Sequence, residues 1–105
     1  MQLDVNYRIV FSALAEDDLV GIYEFIAKDN PSRALSFIQR LQQQCKTLET
    51  MADRGPQREN LGPGVRILVF ERRVTAAYHI KNEQVVILRL FYAGQNIPST
   101  LLDEH

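Results

Sequence analysis

"RRVTAAYHIKNEQVVILRLFYAGQNI", residues 72–97, decides the fold. Two runs rich in β-branched and aromatic residues, 73–80 and 85–92, flank a polar Lys81-Asn82-Glu83-Gln84 segment. That pattern is a β-hairpin. In the first arm, Val74, Ala76, Tyr78 and Ile80 share one face, and Arg73, Thr75, Ala77 and His79 the other. In the second arm, Val86, Leu88, Leu90 and Tyr92 oppose Val85, Ile87, Arg89 and Phe91. Directly paired residues point to the same side of a sheet. A two-residue turn at Asn82-Glu83 pairs Ile80 with Val85 and sets Arg89 opposite Ala76, on the core side. A three-residue connection matches the even-numbered faces and puts Arg89 on the open face with Arg73 and His79. A tight primed turn favours Asn-Gly, and no glycine is present here. An unpaired buried arginine is also costly. Both arguments favour the three-residue connection. The open face then carries Arg73, His79 and Arg89 among Val85, Ile87 and Phe91. A face this apolar calls for a cover: a partner peptide, a second copy of the chain, or the C-terminal tail.

Upstream, "NYRIVFS" (6–12) reads as a short strand closed by Ser12, which can cap the helix that follows. Ala15, Leu19, Ile22 and Ile26 recur on one helical face. Glu16, Asp17 and Asp18 suit the start of that helix, where negative charge meets the macrodipole, and read as solvated. "KDNPSRA" stops the helix near Asp29, and Asn30 and Pro31 start a second one. Its stripe is Ala34, Ile38, Leu41, Cys45 and Leu48. Two helices joined so tightly form an antiparallel hairpin. "ADRGPQRENLGPG" (52–64) breaks regular structure, and a further strand at about 65–71 leads into the hairpin. The expected fold is α+β: an N-terminal strand, a helical hairpin, then a three-stranded antiparallel sheet with both helices on one face.

A chain of 105 residues suits one domain, here residues 1–105. Formal net charge is −1, which does not predict a nucleic-acid or membrane binder. The charge is uneven. Residues 1–54 hold six Lys/Arg against eight Asp/Glu, whereas residues 58–97 hold six against three. The sheet half is mildly basic, which points to an anionic or acidic partner. The one cysteine, Cys45, excludes an internal disulfide, fits a reducing cytoplasm and reads as core filler. No apolar run approaches a membrane span, and the N-terminus lacks a signal-peptide layout.

The two histidines, His79 and His105, lie far apart in sequence and the cysteine has no companion, so no metal spacing exists. Neither a phosphate-binding loop nor a dinucleotide fingerprint is present, and no cofactor is expected. Spacing supports no nucleophile–base constellation. His79 reads as a surface strand residue, and Arg33 and Arg40 as exposed helix surface. Arg58, Arg66, Arg72, Arg73 and Arg89 remain. Their planar, permanently charged forks suit recognition of acidic groups. Ion pairs within the sheet are the equally weighted alternative.

The fragments "YRIVFSALAEDDLVGIYEFIAKDNPSRALSFIQRL", "LGPGVRIL" and "AAYHIKNEQVVILRLFYAGQNI" span most of Tyr7 to Ile97. They resemble ParE-type toxins of the RelE/ParE superfamily, from bacterial type II toxin–antitoxin (plasmid stabilisation) modules. The resemblance implies a small antiparallel sheet carrying a helical hairpin. It implies inhibition of DNA gyrase by protein–protein contact, and neutralisation by a ParD-like antitoxin whose C-terminal segment wraps the toxin. The candidate target- or antitoxin-binding residues are Arg66, Arg73 and Arg89, which fit the ParE pattern, the open-face residues His79, Val85, Ile87 and Phe91, and Tyr92, Gln95 and Asn96 at the C-terminal edge. Homo-oligomers or toxin–antitoxin hetero-oligomers are compatible with it, and direct nucleic-acid binding by the chain alone is not expected. RelE members are ribosome-dependent endoribonucleases that rely on basic residues and a C-terminal tyrosine. The positions aligned with two of their arginines are Thr75 and Gln95, and no tyrosine follows Tyr92. The expectation is therefore a non-enzymatic toxin. An RNA-cleaving toxin and a non-toxic antitoxin-binding relative are the alternatives. Two departures from the ParE pattern are Arg72, where a glycine is usual, and Phe91-Tyr92-Ala93-Gly94 after the last strand.

Overall fold

The computed structural model describes residues 6–93. Its elements run β1 (Arg8–Phe11), α1 (Ala13–Ala27), α2 (Pro31–Lys46), β2 (Arg66–Phe70), β3 (Val74–Lys81) and β4 (Gln84–Tyr92). Sheet order is β1-β4-β3-β2. β2–β3 and β3–β4 are antiparallel, as the sequence suggests. The N-terminal strand joins them as a fourth, parallel member, with Arg8 to Phe11 paired to Gln84 to Ile87. The sheet is therefore mixed. A parallel neighbour requires a long crossover, and the helical hairpin supplies it.

Both helices start where the caps place them. Ser12 Oγ accepts from the Ala15 N–H at 3.1 Å and Asn30 Oδ1 from the Arg33 N–H at 3.1 Å. Ser12 also ties the helix to the sheet. Its hydroxyl donates to the Leu88 carbonyl at 2.9 Å, and its N–H to that of Ile87 at 3.0 Å. The main core lies between the hairpin and one sheet face. It contains Ala15, Ile22 and Ile26 from α1, Ala34, Phe37, Leu41 and Cys45 from α2, and Tyr78, Ile87 and Leu90 from the sheet. Leu19 and Ile38 pack at its border. Phe37, absent from the expected stripe, is buried. The stripe's regular spacing is Ala34, Phe37, Leu41, Cys45, Leu48, with steps of three and four.

The β3–β4 register corrects the sequence reading. Lys81 pairs with Gln84, so the connection has two residues, not three. Asn82 and Glu83 take φ values of 51° and 63°, a left-handed pair adopted without glycine. A single uninterrupted ladder would then bury Arg89. Instead the register shifts between Ala77 and Tyr78: Tyr78 pairs with Ile87 and Ala77 with Arg89, leaving Leu88 as an extra residue. This β-bulge changes the parity of β4 part-way along. Val85 and Ile87 face the helices before it, and Leu90 and Tyr92 after it. Val85 and Ile87, expected on the open face, are fully buried core residues.

The other sheet face is not left to a partner alone. The 52–65 segment folds across part of it, and Leu61 and Val65 close over Ala77 and Phe91 as a second small core, bordered by Ile67 and Leu88. Tyr78 anchors that segment from inside. Its hydroxyl donates to the Ala52 carbonyl at 2.8 Å and accepts from the Gly55 N–H at 3.0 Å. A Cβ on Gly55 would collide with the Ile67 carbonyl oxygen, so the close approach requires glycine here.

Candidate interaction surface

The bulge sets the position of Arg89. Beyond Phe11, β1 gives way to α1, and the outer edge of β4 runs past the first turns of that helix. Asp18 fills the gap. Its carboxylate accepts from the Leu90 N–H at 2.8 Å, from Arg89 Nε at 2.8 Å and from Arg89 Nη2 at 3.0 Å. The Arg89 guanidinium also lies over the Phe91 ring, 5.2 Å from its centroid. Asp18 thus takes the place of a strand partner and neutralises the arginine with a bidentate pair. Its hydrogen bonds raise the Arg89 pKa. The expectation that Asp18 is a solvated helix start is corrected. Its side chain is 14% exposed and bound on three sides. Arg89 points neither into the core nor freely into solvent.

The remaining sequence candidates disperse. Arg66 donates to the carbonyls of Asp53 and Gly55 at 3.0 and 2.7 Å, which fixes the 52–65 segment. His79 pairs with Val86 near the Asn82-Glu83 turn, and burial, helped by Lys81, pushes its pKa down. Phe91 is buried in the second small core. Gln95 and Asn96 lie outside the described residues. Cys45 is buried, which pushes its thiol pKa up to about 11 and makes it inert.

Arg73 and Tyr92 share one end of the sheet, because Val74 pairs with Tyr92. An aromatic series connects this end to the helices. Tyr92 lies 5.4 Å from Phe25 and 6.3 Å from Phe37, and Phe37 lies 5.4 Å from Phe70. On one flank, Arg33, Arg40 and Arg73 line a depression of about 260 Å³ floored by Ile26 and Phe37. On the other, a largely apolar groove of about 510 Å³ runs between α1 and the end of β4, past Gly21, Phe25, Leu90 and Tyr92, with Asp17 and the Arg89-paired Asp18 also in its lining. Phe25 is 60% exposed. Sequence reasoning missed the part played by Arg33 and Arg40. Their one-heptad spacing placed them on one helix face, but only the turn after β2 shows what that face meets. Among the described residues, no cluster of His, Cys, Asp or Glu could hold a metal, and no helix is long and apolar enough to cross a membrane.

Residues 9–97 match the family described as the ParE toxin of type II toxin–antitoxin systems, parDE. The chain belongs to the ParE toxin family. A solved chromosomal ParDE toxin–antitoxin system from P. aeruginosa is 31% identical, with a TM-score of 0.71. The similarity covers 82% of this chain and 95% of that one. The toxin–antitoxin complex RelBE2 from Mycobacterium tuberculosis is 22% identical over 90% of this chain and all of that one, with a TM-score of 0.57, and shares the fold. No curated protein matches the chain. The ParE assignment agrees with the α+β order, the helical hairpin and the sheet at its back. This chain is accordingly the toxin of a type II toxin–antitoxin system.

Proposed function

We propose that this ParE-family toxin inhibits DNA gyrase by protein–protein contact, without catalysis, and that a ParD-like antitoxin neutralises it. The observation that carries the reading is the separation of the sheet's own arginines, Arg66, Arg73 and Arg89, from one another; the one place where arginines gather, Arg33, Arg40 and Arg73, is lined otherwise by Ile26, Phe37 and the already paired Glu71. Cleaving RNA needs several cationic groups converging on one phosphate, beside a group that activates the 2′-hydroxyl. Here Arg89 is held by Asp18, Arg66 by backbone carbonyls, and Arg73 lies in the connection after β2. Thr75 stands where the ribonuclease pattern has an arginine. What is concentrated instead is an aromatic end with arginines on one flank, a composition suited to holding a protein. Arg73 and Tyr92 belong to that contact surface, and Gln95 and Asn96, which follow Tyr92 in the sequence, are assigned to it from the family likeness alone. Arg66 and Arg89 support it by fixing the backbone.

The test is purified toxin in a gyrase supercoiling and cleavage assay, run beside in vitro translation. The expected outcome is lost supercoiling with accumulated cleaved DNA, and undisturbed translation. Inhibited translation with unaffected gyrase would overturn the proposal. Restoration of supercoiling by the product of a neighbouring small acidic gene would identify the antitoxin.

A further inference from the structure

Arg33 and Arg40 lie one heptad apart on α2, and Arg73 approaches them from the connection after β2. All three arginines line one depression of about 260 Å³, with room for the end of one side chain. Only one of them forms an ion pair among the described residues. Arg40 Nε and Nη2 bind the two carboxylate oxygens of Glu71 at 2.9 and 3.0 Å. The Arg40 hydrogen bonds lower the Glu71 pKa, and the Arg73 charge lowers it further. Glu71 reaches this position from a backbone held at φ 49°, a left-handed conformation unusual for a glutamate. The depression thus already holds one carboxylate and keeps two positive charges in excess. Its floor, Ile26 and Phe37, is apolar. From Phe37 the aromatic series continues through Tyr92 to exposed Phe25 and the groove beside α1.

We propose that this end of the molecule docks an acidic, amphipathic peptide segment of a protein partner. A Glu or Asp side chain of that segment enters the Arg33–Arg40–Arg73 depression, and a neighbouring aliphatic or aromatic residue enters the groove at Phe25 and Tyr92. Charge complementarity selects the carboxylate, and Glu71 shows the geometry in which this site binds one. A nucleic acid fits less well. Backbone recognition needs a basic stripe on a basic domain, whereas this chain has a pI of about 6.1 and a carboxylate on the rim of the site. Glu71 then acts as an internal competitor: an incoming carboxylate shares or displaces it at Arg40. The inference does not depend on gyrase being the target.

The experiment uses the full chain and a short fluorescein-labelled peptide of alternating glutamate and leucine, read by fluorescence anisotropy. Its glutamine–leucine counterpart and a labelled oligothymidylate are run beside it. The acidic peptide should bind in a salt-sensitive manner, about tenfold tighter than the glutamine form. Arg33→Glu and Arg73→Glu should each weaken it by about tenfold or more, because both lie on the surface and reverse a charge at the site. Circular dichroism checks that these variants fold. Glu71→Gln should tighten binding, since it frees Arg40; a merely structural Glu71 would leave affinity unchanged or lower. Equal binding of the glutamine peptide, indifference to both arginine reversals, tighter binding of the oligothymidylate, or no binding at all would each overturn the proposal.

Discussion

Asp18 shows how much one side chain can do at the end of a strand. It satisfies Leu90, a strand N–H beyond the reach of β1, and neutralises an arginine that would otherwise sit beside apolar residues. Removing it leaves both groups short of a partner. Asp18→Ala should cost about 2 kcal/mol in urea unfolding, the range for hydrogen bonds to charged groups. Asp18→Asn keeps an acceptor for Leu90 and should lose less; equal losses would mean that the charge contributes nothing. His79 yields a pH prediction with a definite sign. Its folded pKa is below the ordinary 6.5, chiefly because burial disfavours the charged imidazole. The unfolded chain therefore takes up the proton first as pH falls. The stability His79 contributes is complete above pH 6.5 and is lost as pH drops through the folded value. Thermal unfolding of His79→Gln should fall less steeply with acid in that window than that of the natural chain.

At the scale of elements, periodicity was legible and register was not. Ser12, Asn30 and Pro31 marked both helix starts because capping chemistry is local. The strands were legible because alternation is local too. The β3–β4 register failed because both alternatives assumed an unbroken ladder. The chain combines a two-residue turn with one extra residue at Leu88, which reconciles a buried Ile87 with an unburied Arg89. Bulges carry no reliable sequence signal without a glycine. The two-residue turn was disfavoured for the same lack of glycine, yet Asn82 and Glu83 both take positive φ. That conformation costs a non-glycine residue roughly 1–2 kcal/mol, partly offset in the unfolded state because glycine has more freedom to lose. Glu83→Gly should thus stabilise the protein by about 0.5–1 kcal/mol, read as a higher urea midpoint at constant slope. A lower midpoint would show that Glu83 contributes contacts outweighing its strained backbone.

For the molecule as a whole, the consequential difference lies on the sheet face opposite the helices. Sequence patterning left it apolar and assigned its cover to a partner, a second copy or the tail. Part of the cover is the chain's own 52–65 segment, whose glycines and prolines hid the burial of Leu61 and Val65. A two-residue apolar plug inside a turn-rich stretch has no period to detect. The segment is held by Leu61 and Val65 against Ala77 and Phe91, by Tyr78 and by Arg66, so its anchors come from both sides of the sheet. Leu61→Ala removes a side chain that is 1% exposed and should cost about 2–4 kcal/mol. The loss should be local in character. Amides of the 52–65 segment should exchange faster than those of α1 and α2 in hydrogen exchange, and the uncovered Phe91 should raise dye binding by apolar surface. If exchange instead accelerates uniformly, the second small core unfolds together with the first. The segment is then an integral part of the fold, not a cover laid over a finished one.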